Sequence, residues 1–496
     1  MILSPIKPVF FLVLLASLVL VSGLLMFSLI TNGHDWGGDF SGYIMQAKSL
    51  VEGDTDAFVQ RNRFTIENTG PGLGPIAYPW GFPLILAPIY ALYGLDLPAL
   101  KMAGLLSYAC FLLVLYFGFA NTCSKAWLFV FVVFFAFNPT MIEFVNHIMS
   151  DLPFLLFSTI AMALIGTVLI ERRPIISPFI DHVLIGVAIG MACLVRTNGL
   201  LLVAVLAGVQ ILQAVGGRRT LNCIVPHAVF LVTNLLEHAL LPEGGDSYFS
   251  FRNSATYLML LNSLTADNIY SNAAYNFNMI ITFIDTRIEA LPLFSAVPPA
   301  LAAIGATKSI RRTYHWLGYI ALTFLLYSIW PWRQGIRFLF PLLPFYVLLI
   351  IIGLESIADG IVRHTRQPML GLLLFASAFV WDLSQAHRSL LALDALTNSR
   401  ETQDGPFGDG ATRLFSFIKS ESQPDDILIF RKPRVIALLT GRRAFRTRNT
   451  AEFGKGSILV IDRNFDDQWF NAIPESSKSL LHTIYDDGRF IVFRLQ

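Results

Sequence analysis

The sequence predicts a mainly α, polytopic membrane protein with about eleven transmembrane helices and a small α/β unit at its C-terminal end. Three observations carry this. Of 496 residues, 54% are hydrophobic and only 14% are charged, against about 25% charged in a soluble chain. Mean hydropathy is +0.59. Apolar segments of bilayer length recur until about residue 386, after which short helix and strand patterns alternate. A net charge of +2 argues against a nucleic-acid partner. No P-loop, GxGxxG or CxxC motif occurs, so nucleotide chemistry has no support.

The first span is residues 9–31, preceded by Lys7. It is too long and apolar for the h-region of a signal peptide and no A-x-A-like site follows, so it reads as an uncleaved signal anchor. Further apolar segments run near 98–120, 126–138, 151–170, 182–195, 199–215, 221–241, 290–306, 316–330, 338–356 and 369–386. The basic clusters Arg172-Arg173, Arg218-Arg219, Lys308 to Arg312 and Arg363 to Arg366 all fall on one side of such an arrangement. The positive-inside rule makes that side cytoplasmic, together with the N-terminus. An odd span count then places the tail outside the cytoplasm.

The expected organisation is a membrane domain over 1–394 and an extracytoplasmic α/β domain over 395–496. In the tail, ATRLFSFIKS and RVIALLTG have helical patterns, while DDILIF, SILVID and RFIVFRL read as strands. Two outer loops, 32–97 and 242–285, belong to the membrane domain. The four cysteines, Cys110, Cys123, Cys193 and Cys223, lie in spans or on the cytoplasmic side, so no disulfide is expected.

The residues that could carry chemistry gather near the outer surface. Asp39 heads an amphipathic helix over 40–52 in GGDFSGYIMQAKSLVEG. A carboxylate there either caps the helix or serves as a general base; Asp35 is its nearby competitor. Tyr78 opens YPWGFP, an interfacial stretch in which Trp80 reads as an anchor. Glu143, His147 and Asp151 share one helical face at i, i+4, i+8. With Asp39 they could hold a divalent metal, or they are a helix cap and solvated neighbours. A direct substrate role for Asp151 is favoured over metal ligation. Arg196, Arg333 and Arg337 stand on the outer side against the positive-inside trend. Guanidinium groups there suit a lipid phosphate, or else snorkel to headgroups.

Taken together, GGDFSGYIMQAKSLVEG, YPWGFPLILAPIYALYG, SDLPFLLFS, GMACLVRTNG and RQGIRFLFPLLPF resemble the GT-C glycosyltransferase superfamily. The likeness is to bacterial relatives of protein O-mannosyltransferases and of the lipid A aminoarabinose transferases, and it covers most of the chain. It implies a GT-C-like membrane domain in a bacterial inner membrane and a polyprenyl-phosphate monosaccharide donor. It also implies inverting transfer to a hydroxyl of a glycan, glycolipid or protein, on the outer face. By this likeness Asp39 looks like the catalytic base, Asp151 like the catalytic carboxylate of the second outer loop, and Arg333 and Arg337 like donor-phosphate contacts; Arg196 and Tyr78 are read beside them as substrate-binding. Many relatives carry Asp-Glu where this chain has Asp39-Phe40, so a metal at Glu143 and His147 stays open and no other cofactor is expected. The competing reading is a transporter or flippase for lipid-linked saccharides. No internal repeat supports it, and the polar candidates lie at one membrane face rather than at the midplane.

Overall fold

A computed structural model describes residues 8–69, 73–217, 221–242, 261–285, 287, 292–397 and 404–495. Lys7, the Arg218-Arg219 pair and residues 243–260 of the second outer loop lie outside the described residues.

Helix α1 (Pro8–Ser28) leads into a loop and then two helices, α2 (Asp39–Glu52) and α3 (Thr55–Thr69). Helix α4 (Gly81–Tyr93) follows, then α5 (Leu97–Gly118), α6 (Lys125–Ala136), α7 (Pro139–Val145) and α8 (Asp151–Leu164), the last continued by a π turn to Ile170. Helices α9 (Pro178–Val195), α10 (Leu200–Val215) and α11 (Val225–Leu240) complete the first half. The second half holds α12 (Ala266–Ile284), α13 (Val297–Ile329), a 3₁₀ stretch over Gly335–Leu342, α14 (Leu343–Thr365) and α15 (Pro368–Thr397). Among the described residues, seven helices are long and apolar enough to cross a bilayer, or eight if the bent pair α6–α7 is one span. The protein is a multi-pass membrane protein.

Two expected spans, 290–306 and 316–330, are not separate. The chain from Val297 to Ile329 is one helix of 33 residues. Lys308, Arg311 and Arg312 sit within it rather than in a loop. No Gly or Pro interrupts 306–317, and Lys and Arg are good helix formers, so nothing breaks the helix where charge suggested a turn. Trp80 departs from an interfacial anchor as well. It is buried, with its ring nitrogen donating to the Pro242 carbonyl at 3.2 Å and its backbone N–H to Glu237 at 3.1 Å.

The abundant phenylalanines fill the helix interfaces. Phe111, Phe131 and Phe135 are fully buried and meet edge to face at 5.4 and 5.5 Å, a favoured geometry for aromatic pairs.

After helix α16 (Asp409–Glu421) comes a five-stranded sheet: β1 (Ile427–Ile429), β2 (Arg443–Phe445), β3 (Ile458–Asp462), β4 (Leu481–Asp486) and β5 (Phe490–Leu495), in the order β2-β1-β3-β5-β4. Strands β1, β2 and β3 are parallel, with β5 antiparallel to β3 and β4 to β5. Helix α17 (Pro433–Thr440) links β1 to β2, and α18 (Arg463–Asn471) follows β3. The tail motifs expected as strands and helices fall on α16, β1, α17, β3 and β5. Strands β2 and β4 had no sequence signal: β2 is three residues long, and β4 is a largely exposed edge with no apolar alternation.

Candidate functional site

The loop before α2 is fixed by a buried lysine. Lys101 on α5 donates to the carbonyls of Thr31 and Gly33, each at 2.7 Å, and to Asn146 Oδ1 at 3.0 Å. One side chain thus ties the loop after α1 to the turn after α7.

Helix α2 then presents Asp39 as its first residue. The cap position is Gly38, and no side chain caps the helix. The Asp39 carboxylate therefore has other partners. Tyr78 donates its hydroxyl to Oδ1 at 2.7 Å, and Arg337 Nη2 donates to Oδ2 at 3.0 Å. Burial raises the Asp39 carboxyl, but the Arg337 charge, the Tyr78 hydroxyl and the more distant Arg434 outweigh it. It titrates below its ordinary 3.8 and is ionised at neutral pH.

Arg337 comes from the 3₁₀ stretch ahead of α14. Its Nε lies 3.6 Å from Asp151 Oδ1, so one guanidinium stands between the two carboxylates. Asp151, at the start of α8, is almost wholly buried and is paired at 2.5 Å with Arg196. Ser150 is the cap position of α8 and its hydroxyl bonds Tyr43 at 2.9 Å. Arg196 follows α9 directly. Gly81 lets α4 pack there, because a Cβ at that position would sit 2.6 Å from the Leu194 carbonyl oxygen. Both Arg196 and Arg337 lie over the Phe338 ring, at 5.5 and 5.6 Å. Asp151 Oδ2 is buried with no hydrogen-bond partner.

The structure thus brings Asp39, Tyr78, Asp151, Arg196 and Arg337 into one group, and leaves Arg333 out of it. Arg333 donates to Asn272 at 3.0 Å and to Ser271 at 2.5 Å, and covers Tyr275, all on α12. It lines a separate surface pocket with Trp332, Asn268 and Ser263.

The proposed metal ligands are also arranged differently. Among the described residues, His147 joins His34 and Asp35, with ligand atoms within 4.8 Å of one another; Glu143 is not in the group. Burial and the neighbouring His34 hold His147 down at about 4, so it is neutral at physiological pH. However, His34 Nε2 accepts the Ile148 N–H at 3.3 Å and Nδ1 lies 2.6 Å from Asp35 Oδ1. A cation there must displace a protein contact. Between Asp39 and Asp151 the positive charge is already supplied by Arg337.

One residue of the site gave no sequence signal. Arg434, on α17 beside the C-terminal sheet, is 1% exposed and reaches α3 and the segment between α3 and α4. It donates to the Tyr78 hydroxyl at 2.8 Å, to the Leu73 carbonyl at 3.0 Å, to Asn62 at 3.3 Å and to the Pro75 carbonyl. Tyr78 is held from below by Gln46, which exchanges hydrogen bonds with its backbone at 2.9 and 3.0 Å. Its ring lies on α2 at Gly42, where a Cβ would come within 2.8 Å.

No family profile matches the chain, and no curated protein matches it. Solved structures do. The crystal structure of ArnT from Cupriavidus metallidurans bound to undecaprenyl phosphate superposes with a TM-score of 0.63 at 14% identity, over 98% of both chains. The same protein in the apo state gives 0.60 at 13% identity, over 97% of both chains. Archaeal oligosaccharyltransferase AglB from Archaeoglobus fulgidus, in complex with an inhibitory peptide and a dolichol-phosphate, gives 0.61 at 9% identity, over 97% of this chain and 74% of that one. At such identities the likeness is one of fold, and it extends from the first helix through the C-terminal sheet. The chain has the GT-C fold.

Proposed function

We propose that the protein transfers a monosaccharide from a polyprenyl-phosphate donor to a hydroxyl of a glycan, glycolipid or protein at the outer face of a bacterial inner membrane. The observation that carries this is the pairing of Arg337 with both Asp39 and Asp151 at the head of an apolar helix. The bound undecaprenyl phosphate and dolichol-phosphate of the structural neighbours support a lipid-phosphate ligand for this fold.

Asp39 is the base. It takes the proton of the acceptor hydroxyl as that oxygen attacks the anomeric carbon, and the sugar–phosphate bond breaks on the opposite face with inversion. Charge builds on the departing lipid phosphate, where Arg337 and Arg196 stabilise it in a partly desolvated site. A phosphate is a good leaving group, so no strong general acid is required. Asp151 orients Arg196 and shares Arg337.

Arg337 also couples donor binding to basicity. While it pairs with Asp39, the carboxylate is a weak base. A donor phosphate that draws the guanidinium away lets the Asp39 pKa rise towards its ordinary value, closer to what a general base needs.

The test is mass spectrometry of envelope glycolipids and surface proteins from cells with and without the protein. Loss of one monosaccharide from one acceptor is the expected result. An unchanged glycan profile would reject the proposal.

A further inference from the structure

We propose that the C-terminal domain carries its own binding site for an anionic saccharide, in the groove between α3 and the carboxyl ends of β1 and β3. The site rests on the glycosyl-transfer reading only in being assigned to the acceptor.

Topology places the groove. From β1 the chain passes through α17 to β2 on one side, then returns across to β3 on the other. In open α/β sheets, ligands bind outside the carboxyl ends of strands where the connections diverge in this way. A cavity of about 790 Å³ lies there, within the usual size of small-ligand sites. It is walled by the residues after β1 and β2, by α18 and by the end of α3.

The chemistry of the walls selects the ligand. Five cations and three carboxylates line the groove. Lys455 is paired with Glu452 at 3.2 Å and Arg448 with Asp466 at 3.4 Å. Lys432 and Arg446 form no ion pair among the described residues. Arg431 is 3.7 Å from Asp462, its Nε has no hydrogen-bond partner, and its guanidinium is stacked on Phe465 at 3.5 Å. Phe465 and Trp469 give the groove flat apolar faces of the kind that meet the C–H side of a sugar ring. Cations in excess beside aromatic faces suit a saccharide bearing phosphate or carboxylate.

Lys432, at the head of α17, stands two residues from Arg434, which reaches the proposed base through Tyr78. Burial and the Arg431 charge depress the Lys432 ammonium, while Asp35 and Asp39 are close enough to oppose that. A bound anion relieves the same repulsion. The donor phosphate is assigned to Arg337, which holds Asp39 Oδ2, whereas Arg434 acts on Oδ1 through Tyr78. Arg337 does not line the groove, which leaves the groove to the second substrate.

The experiment measures binding to the full-length protein in detergent at low ionic strength by microscale thermophoresis. The probes are mannopentaose 6-phosphate, an oligogalacturonide and unmodified mannopentaose. The phosphorylated probe, the carboxylated probe or both should bind at least about tenfold more tightly than the neutral sugar. Which one does so distinguishes the two anion sources. The Lys432→Gln/Arg446→Gln double variant should lose that preference, whereas Lys419→Gln, which removes one positive charge from exposed α16, should keep it. Equal binding of all three probes, no binding at all, or an unchanged preference in the double variant would overturn the site. Sugar transfer without groove binding would sink this inference alone. Groove binding without cleavage of any lipid-linked sugar would sink the transferase reading and leave the site standing.

Discussion

Asp39 is gripped from two regions of the molecule that are built in different ways. On the membrane side, Arg337 contacts the carboxylate directly and is shared with Asp151 and the proposed donor phosphate. On the side of the C-terminal domain, Arg434 reaches Asp39 only through Tyr78, whose hydroxyl it contacts and which donates to the carboxylate. In the proposed reaction the first contact changes when the donor arrives. The second has four protein acceptors, is buried and positions the loop. On that reading, one side of the site tunes the charge of the proposed base and the other its place.

The largest effect should come from the base that both regions hold. Asp39→Asn should reduce transfer by about 10²–10⁴-fold. The side chain caps nothing in α2, so folding should survive. Near-normal transfer by a variant that elutes and melts like the parent would move the base to Asp35 or Asp151.

Arg337→Ala should follow, with a loss of about 10–150-fold, the equivalent of about 1.5–3 kcal/mol for a hydrogen bond to a charged group. Donor KM should rise with it. Arg434→Lys keeps the charge but not the fork that serves Tyr78, Asn62 and two carbonyls. It should lower kcat by about tenfold, the effect of about 1.4 kcal/mol, and leave donor KM in place. Identical KM and kcat patterns for the two variants would erase the distinction between tuning and positioning.

The same distinction has a pH signature. Asp39 sits below 3.8 when Arg337 is beside it, so its carboxylate is present above that pKa and is lost as pH falls through it. The acid limb of kcat/KM, which reports the free enzyme, should lie below that of kcat, which reports the donor complex. Coincident limbs would mean that the donor does not draw Arg337 away. The smallest effect belongs to Arg333→Ala. Its guanidinium is held by Asn272 and Ser271, and transfer should stay within about threefold of the parent.

Much of the membrane half was legible because a charge in an apolar sequence is conspicuous. Asp39, Asp151, Arg196 and Arg337 each interrupt a hydrophobic context, and their grouping follows from helices ending at one surface. Arg333 has the same local signature as Arg337 but faces α12, and only tertiary packing separates the two. The helix over 297–329 was misdivided because its basic residues signalled a loop while their helix propensity allowed none. Arg434 was hidden for the opposite reason. In a polar domain an arginine is unremarkable, and nothing local marks one that will be buried some 360 positions from its partner tyrosine. The metal expectation followed i, i+4 spacing on one helix, but α7 ends at Val145, before His147.

The central claim is that the Asp39–Arg337 pair breaks a sugar–phosphate bond rather than passing an intact lipid-linked sugar across the membrane. The most direct measurement places the purified protein in vesicles containing a polyprenyl-phosphate monosaccharide, with a candidate acceptor outside. Free polyprenyl phosphate and the anomeric configuration of the product are then followed by mass spectrometry and NMR. The account predicts release of polyprenyl phosphate, an inverted glycosidic bond, and neither with Asp39→Asn. Uncleaved donor appearing in the opposite leaflet, with no polyprenyl phosphate released, would contradict it.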